Sequence, residues 1–317
     1  MSLQEFGSSV NANRTTKNFG AIHLALATAV GVCCSSAFGV TVPYTKALIS
    51  SFNPNETATP IVQHSNPASP SSLSYIQSGD WGSVSGFASA DLSTGQLKVR
   101  ATSMPEDGQF PSMQTNAWFG DGFRANSPSG PFAWTPDSMS RFTLDLTDSA
   151  VTASSDLGEL FAGGFVLLSL FEPGTFDPSS KLVGGANNIA YYLFLLGNPN
   201  QQLYYTDQNG VSQPLVPTGG YVDLSDDIHI QQDFQPGGDF DWMLLLGASG
   251  QVTGPQFFDM DFSNTLTLNY GGPVGSVTDS VSGTFQNYIS IPEPTSAILI
   301  GLGAIGLRRS RRSNQAN

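Results

Sequence analysis

Along much of the chain, apolar and polar residues alternate with a period of two. Leu97, Val99 and Ala101 alternate with Lys98 and Arg100, and Phe142, Leu144 and Leu146 alternate with Thr143, Asp145 and Thr147. Successive side chains of a strand point to opposite faces, so this pattern predicts strands buried on one face. Residues 81–93, with Val84, Phe87 and Leu92, and 114–124, with Trp118 and Phe119, predict further strands. Residues 165–171 and 189–196 differ: they are short continuous apolar runs bounded by Gly163-Gly164, Pro173-Gly174 and Gly197. Such runs predict strands buried on both faces. Strands at 221–224, 228–234, 240–246, 256–270 and 282–288 complete the set, with loops at 105–111 and 125–136. Residues 40–72 carry Pro43, Pro54, Pro60, Pro67 and Pro70. Proline cannot donate to a central ladder, so this segment reads as a linker or an edge. Many short strands between Gly/Pro turns give the expected fold: all-β, an antiparallel β-sandwich of jelly-roll type over 73–290.

The two ends break this pattern. Arg14 and Lys17 precede an apolar run at 19–34, and small residues follow at 35–39. That order is a secretory signal, expected as an N-terminal helix over 1–39, with small-x-small cleavage sites ending at Ala37 and Gly39. At the other end, Pro292-Glu293-Pro294 leads into an uncharged segment, 295–307, closed by Arg308, Arg309, Arg311 and Arg312. Residues 291–317 form the tail. As a helix, 295–307 would be about 20 Å long, against about 30 Å of hydrocarbon. The segment suits a transient handle better than a lasting span. Basic residues stay on the cytoplasmic side, so the flanks at both ends place the intervening body outside. Gly301, Gly303 and Gly306 match a dinucleotide fingerprint. That motif has meaning only between a strand and a helix, with an acid further on, and neither context exists here.

The order Pro-Glu-Pro, apolar segment, arginine cluster resembles the PEP-CTERM sorting signal of bacterial exported proteins. The resemblance implies recognition of Pro292, Glu293 and Pro294 by exosortase, a multipass membrane transpeptidase. It also implies that the short apolar helix and Arg308, Arg309, Arg311 and Arg312 act as a membrane stop during sorting to the cell surface or extracellular matrix. Residues 88–98 resemble a hairpin common in the outer domains of such proteins. Residues 261–268 and 281–285 resemble the strand pair that precedes the tail in many of them.

Composition narrows the partners. Charged residues are 12% of the chain and the formal net charge is −13. Six Lys+Arg and 23 Asp+Glu fall within 40–291, so the body carries −17. A surface this acidic repels phosphate backbones, which excludes nucleic acid as a partner. Cys33 and Cys34 are adjacent and lie within the signal, so a cleaved body has no cysteine for a disulfide, a thiolate nucleophile or a metal.

Candidate chemistry is sparse. Acids cluster at Asp223, Asp226 and Asp227, at Asp233, Asp239 and Asp241, and at Asp259 and Asp261. Oxygen-rich loops suit Ca²⁺, and Asp233, Asp239 and Asp241 are the favoured ligands, although no complete EF-hand loop is present. Carboxylate pairs could also hydrolyse glycosides. His229, beside Asp226 and Asp227, reads as a surface partner for acids. No Gly-x-Ser-x-Gly elbow, P-loop or zinc spacing occurs. Trp118 and Trp134, with Asp121 and Asn126, form a candidate glycan site: sugar rings stack on aromatic faces while acids and amides bind hydroxyls. The expectation is a non-enzymatic exported surface protein. A carbohydrate-binding module for matrix polysaccharide is the alternative and a secreted hydrolase the second alternative.

Overall fold

The computed structural model describes residues 43–52, 61–66, 70–127, 130–176, 188–206, 211–224, 227–252, 254–285 and 288–289. Both expected terminal helices, the signal at 1–39 and the tail at 291–317, lie outside these residues. Within them the chain is all-β. The first strands are β1 (Tyr44–Phe52), β2 (Ile61–Asn66), β3 (Ser71–Gly79), β4 (Gly82–Asp91), β5 (Gln96–Pro105), β6 (Ser112–Ser127) and β7 (Gly130–Pro131). They are followed by β8 (Ser140–Leu146), β9 (Ala150–Ala153), β10 (Ala162–Phe171), β11 (Asn188–Leu196), β12 (Leu203–Thr206) and β13 (Ser212–Leu215). The last are β14 (Gly220–Val222), β15 (Ile228–Phe234), β16 (Phe240–Gln251), β17 (Phe258–Gly271), β18 (Val277–Ser280) and β19 (Tyr288–Ile289).

These strands form two packed sheets and a separate hairpin, β12–β13. The larger sheet runs β14-β11-β10-β16-β6-β1-β2, with β7, β18 and β19 attached at the far end of β6. The smaller runs β15-β8-β17-β5-β4-β3, with β9 on β17. Pairing is antiparallel except between β11 and β14, which are parallel.

Strands β4, β5, β8 and β15 alternate buried and accessible positions, as their period-two sequences predict. Their inward residues, among them Val84, Leu97, Val99, Phe142, Leu144 and Ile230, meet Phe119, Phe123, Val166, Trp242, Leu244 and Leu246 of the larger sheet in the main core. At one end of that core the rings of Phe123 and Tyr270 stack across the sheets at 3.9 Å, and Phe142 and Phe234 stack at 5.0 Å. Strand β10 and nearly all of β6 and β16 are buried on both faces. Their other face builds a second cluster from Tyr44, Leu48, Trp118, Phe165, Leu167, Leu193, Met243 and Leu245. Phe176 and Leu203, the latter from the β12–β13 hairpin, pack on this outer face. Phe176 packs against β6 at Gly120, where a Cβ would sit 2.4 Å from its ring.

One segment departs from its expectation. Within 40–72, read as a linker or an edge, β1 is an internal strand paired on both sides, with β6 and β2. The prolines do not interrupt the ladder. Pro43 and Pro54 bracket β1, and Pro60 and Pro67 bracket β2. The expected hairpin at 88–98 does form: β4 and β5 pair from Asp91↔Gln96 onward, and Gly95 takes a positive φ of 66° in the turn. Asp91 stabilises that turn by accepting hydrogen bonds from the backbone N and the Oγ of Ser93.

Candidate functional site

The described chain leaves at one end of the sandwich. Connections 132–139, 235–239 and 272–276 cross between the sheets there, from β7 to β8, from β15 to β16 and from β17 to β18. The pairing of β1 with β6 stops at Tyr44↔Gly120. Strand β18 takes over further along β6, from Ser280↔Phe123 to Val277↔Asn126. Strand β19 then pairs on β18, with Thr278↔Tyr288 and Val277↔Ile289. Ile289 therefore stands at the same end as Asn126, Ser140 and Gly271.

A buried carboxylate ties this exit to the core. Asp121 of β6 is 0% exposed. Its Oδ1 accepts hydrogen bonds from the backbone N of Gly122 at 2.8 Å and of Ser282 at 3.0 Å. Its Oδ2 accepts one from the Oγ of Ser282 at 2.5 Å. Burial pushes the Asp121 carboxyl above the usual range, against these hydrogen bonds, which favour its charged form. The next residues are held by hydroxyls: the Oγ of Ser282 accepts from the backbone N of Thr284, and the Oγ of Ser280 accepts from the backbone N of Phe285. Side-chain acceptors of this kind compete with a ladder for backbone donors. Residues 281–285 thus form turns, where the sequence predicted a strand over 282–288 and a strand-like 281–285. Strand β18, just before, carries the pairing instead. Phe285 closes the arrangement. It is 4% exposed and packs edge-on against Phe123 and Trp242 at 5.7 and 5.6 Å.

The candidate glycan residues are not brought together on an open surface. Trp118 is 2% exposed, within the outer-face cluster of the larger sheet, with Lys46 Nζ 4.8 Å from its ring centroid. Asp121 is the buried anchor just described. Alternation explains both: Trp118 and Asp121 lie on opposite faces of a strand that is buried on both. Trp134 is half-buried in the 132–139 connection, edge-on to Phe132 at 5.3 Å. Asn126 is exposed and donates to Asp279 at 3.1 Å. Along the outer face of β6, Gln114 Oε1, Asn116 Oδ1 and Trp118 Nε1 are buried with no hydrogen-bond partner among the described residues.

The proposed calcium ligands are likewise dispersed. Asp233 pairs with Arg141 through two hydrogen bonds of 2.6 and 3.0 Å, and that guanidinium holds its carboxyl below the usual range. Asp239 accepts from the backbone N of Ala125 at 3.0 Å. Asp241 is 0% exposed and accepts from Arg124 at 3.0 Å and from the backbone N of Gly174 at 2.7 Å. Each carboxylate already serves another partner. Among the described residues no group of three or more His, Cys, Asp or Glu is placed to hold a metal ion. Asp259 and Asp261 are both engaged by Arg100. Asp227 accepts from the backbone N of Asp148, and Asp226 lies outside the described residues. His229 meets Asp145 at 2.5 Å on the surface of the smaller sheet.

Pro292, Glu293, Pro294, Arg308, Arg309, Arg311 and Arg312 also lie outside the described residues, and comparison identifies their segment directly. Residues 290–312 match the family model of the PEP-CTERM protein-sorting motif. The chain, all-β over its described residues, thus carries a C-terminal sorting signal. PEP-CTERM signals are recognised by exosortase, a membrane enzyme, which implies export and processing at the membrane. No curated protein and no solved structure matches the chain.

Proposed function

We propose that this protein is a non-enzymatic surface or extracellular-matrix-associated protein. Its sandwich body, of jelly-roll type, is exported and then sorted through Pro292-Glu293-Pro294 by an exosortase-like transpeptidase. The observation that carries this reading is the sorting-motif match at 290–312. It agrees with the basic flanks at both ends of the chain, which favour an external body. In this reading Arg308, Arg309, Arg311 and Arg312 hold the apolar segment at the membrane while the enzyme engages the motif, and the membrane contact ends with processing. The acidic body favours solubility outside the cell. Extracellular polysaccharide remains the alternative ligand class. With Trp118 and Asp121 buried, it would have to use Trp134 and Asn126.

The test is a Pro292→Ala, Glu293→Ala, Pro294→Ala triple variant, expressed beside an exosortase-like enzyme and compared with wild type by fractionation and immunoblot. The wild-type body reaches the surface fraction, and the variant accumulates in the membrane fraction with its tail retained. Equal distribution of the two proteins would defeat the reading.

A further inference from the structure

The sandwich ends very close to the sorting motif. Strand β19 is still paired at Ile289, and Ser290 and Ile291 alone separate it from Pro292. Three peptide steps reach about 10 Å at full stretch. While β19 stays paired, an enzyme holding Pro292-Glu293-Pro294 at the membrane also holds the exit end of the sandwich against that membrane. The surface of that end is consistent with such a contact. Trp134 and Phe132 stand edge-on in the 132–139 connection, neither fully buried. Met139 in the same connection is 44% exposed. Val274, at the tip of the 272–276 turn next to β18, is 76% exposed. Tryptophan and aliphatic tips of this kind favour the bilayer interface.

We propose that Trp134, Phe132, Met139 and Val274 form a lipid-contacting tip that seats the sandwich on the membrane surface, in one orientation, while the tail is engaged. The proposal rests on the sorting reading above. Its lipid is zwitterionic, because the exit end is acidic. Asp137, Asp239 and Asp279 lie there, while Arg141 and Arg124 are committed to Asp233 and Asp241. An anionic surface would repel it.

Tryptophan emission reads this contact selectively. Of the 4 tryptophans, Trp81, Trp118 and Trp242 are 4%, 2% and 0% exposed, and Trp134 alone is only half-buried. The full chain is reconstituted into phosphatidylcholine vesicles carrying acyl chains brominated near the headgroup, floated on a gradient, and read for quenching. The expected result is flotation with loss of the Trp134 share of the emission. That loss should be absent in Trp134→Phe, weakened by added phosphatidylglycerol, and weakened by a long Gly/Ser insertion between Ile291 and Pro292. Flotation without quenching overturns the proposal and leaves the sorting reading standing. Quenching that persists at full strength in the insertion variant also overturns it, since the short tether would then not be what seats the end. Failure to float also overturns the proposal, since tip and tail together would then hold no bilayer, and it leaves the sorting reading to its own test at Pro292-Glu293-Pro294.

Discussion

The two sheets of the sandwich handle their outer faces in opposite ways. The smaller sheet leaves its outer face to water: Lys98, Arg100, Asp145, His229 and Asp233 line it, and the last four make surface ion pairs and hydrogen bonds. The larger sheet buries its outer face, where Leu48, Trp118, Phe165, Leu167, Met243 and Leu245 form a second apolar cluster. The difference shows that burial on this protein follows the sheet rather than the strand. The exit segment is anchored on the inner face of β6. That strand is buried on both faces, and a carboxylate such as Asp121 acts there with little competition from water.

Substitutions on the two sheets should separate their faces. The largest effect is expected at the shared inner core. Phe123→Ala removes a ring packed on Tyr270, Trp242, Phe240 and Phe285. It should cost about 4 kcal/mol in denaturant unfolding. Next comes the face that distinguishes the sheets. Leu245→Ala, on the outer side of β16, should cost about 3 kcal/mol, as a core position does. Lys98→Ala, on the outer side of β5, should change stability by less than about 0.5 kcal/mol. Equal costs at Leu245 and Lys98 would erase the distinction.

Asp121→Ala should cost about 2 kcal/mol, because it strands the backbone donors of Gly122 and Ser282 and the Ser282 hydroxyl. Its pH signature has a definite sign. The carboxyl's folded pKa is raised by burial, so the cost of burying its charged form is fully present above that value. The cost fades as pH falls through the raised pKa toward the unfolded value. Wild type should therefore gain stability relative to Asp121→Asn on acidification, measured by urea titrations at stepped pH. A difference that does not change with pH, or that widens the other way, would rule this out.

The smallest effect belongs to the solvated face. Arg100 bonds Asp259 at 2.9 and 2.6 Å, and the hydrogen bonds from Arg100 hold that carboxyl below the usual range. The stabilisation is present above the unfolded carboxylate pKa and is lost as pH falls through the depressed folded one. Arg100→Ala should cost about 0.5 kcal/mol at neutral pH, since the guanidinium is largely exposed, and less in high salt.

The contrast between the sheets also explains what the sequence disclosed. Strands of the smaller sheet were legible from alternation, because water enforces it: Leu97-Lys98-Val99-Arg100 and the run at 142–147 could hardly be read otherwise. In the larger sheet, β10 was legible as a continuous apolar run. Strand β1 was not, because polar residues interrupt both its faces, Thr45 and Ser51 beside Ala47 and Ile49 on one and Lys46 beside Leu48 on the other, and the flanking prolines suggested a linker. Trp118 misled for a related reason. Beside glycines, asparagines and an aspartate it resembles a surface site, yet both faces of β6 are covered. The exit turns carried one local signal, hydroxyls at Ser280, Ser282 and Thr284, which favour turns over ladders. That Asp121 would receive Ser282 depends on pairing across 161 residues of chain, and no local pattern encodes it.

The sorting reading meets its most direct test in the intact mass of the protein recovered from the surface of cells that carry an exosortase-like enzyme. The predicted mass corresponds to a body that begins after Ala37 or Gly39 and has been processed within 290–312. Recovery from the cytosol at the full mass of residues 1–317 would contradict it.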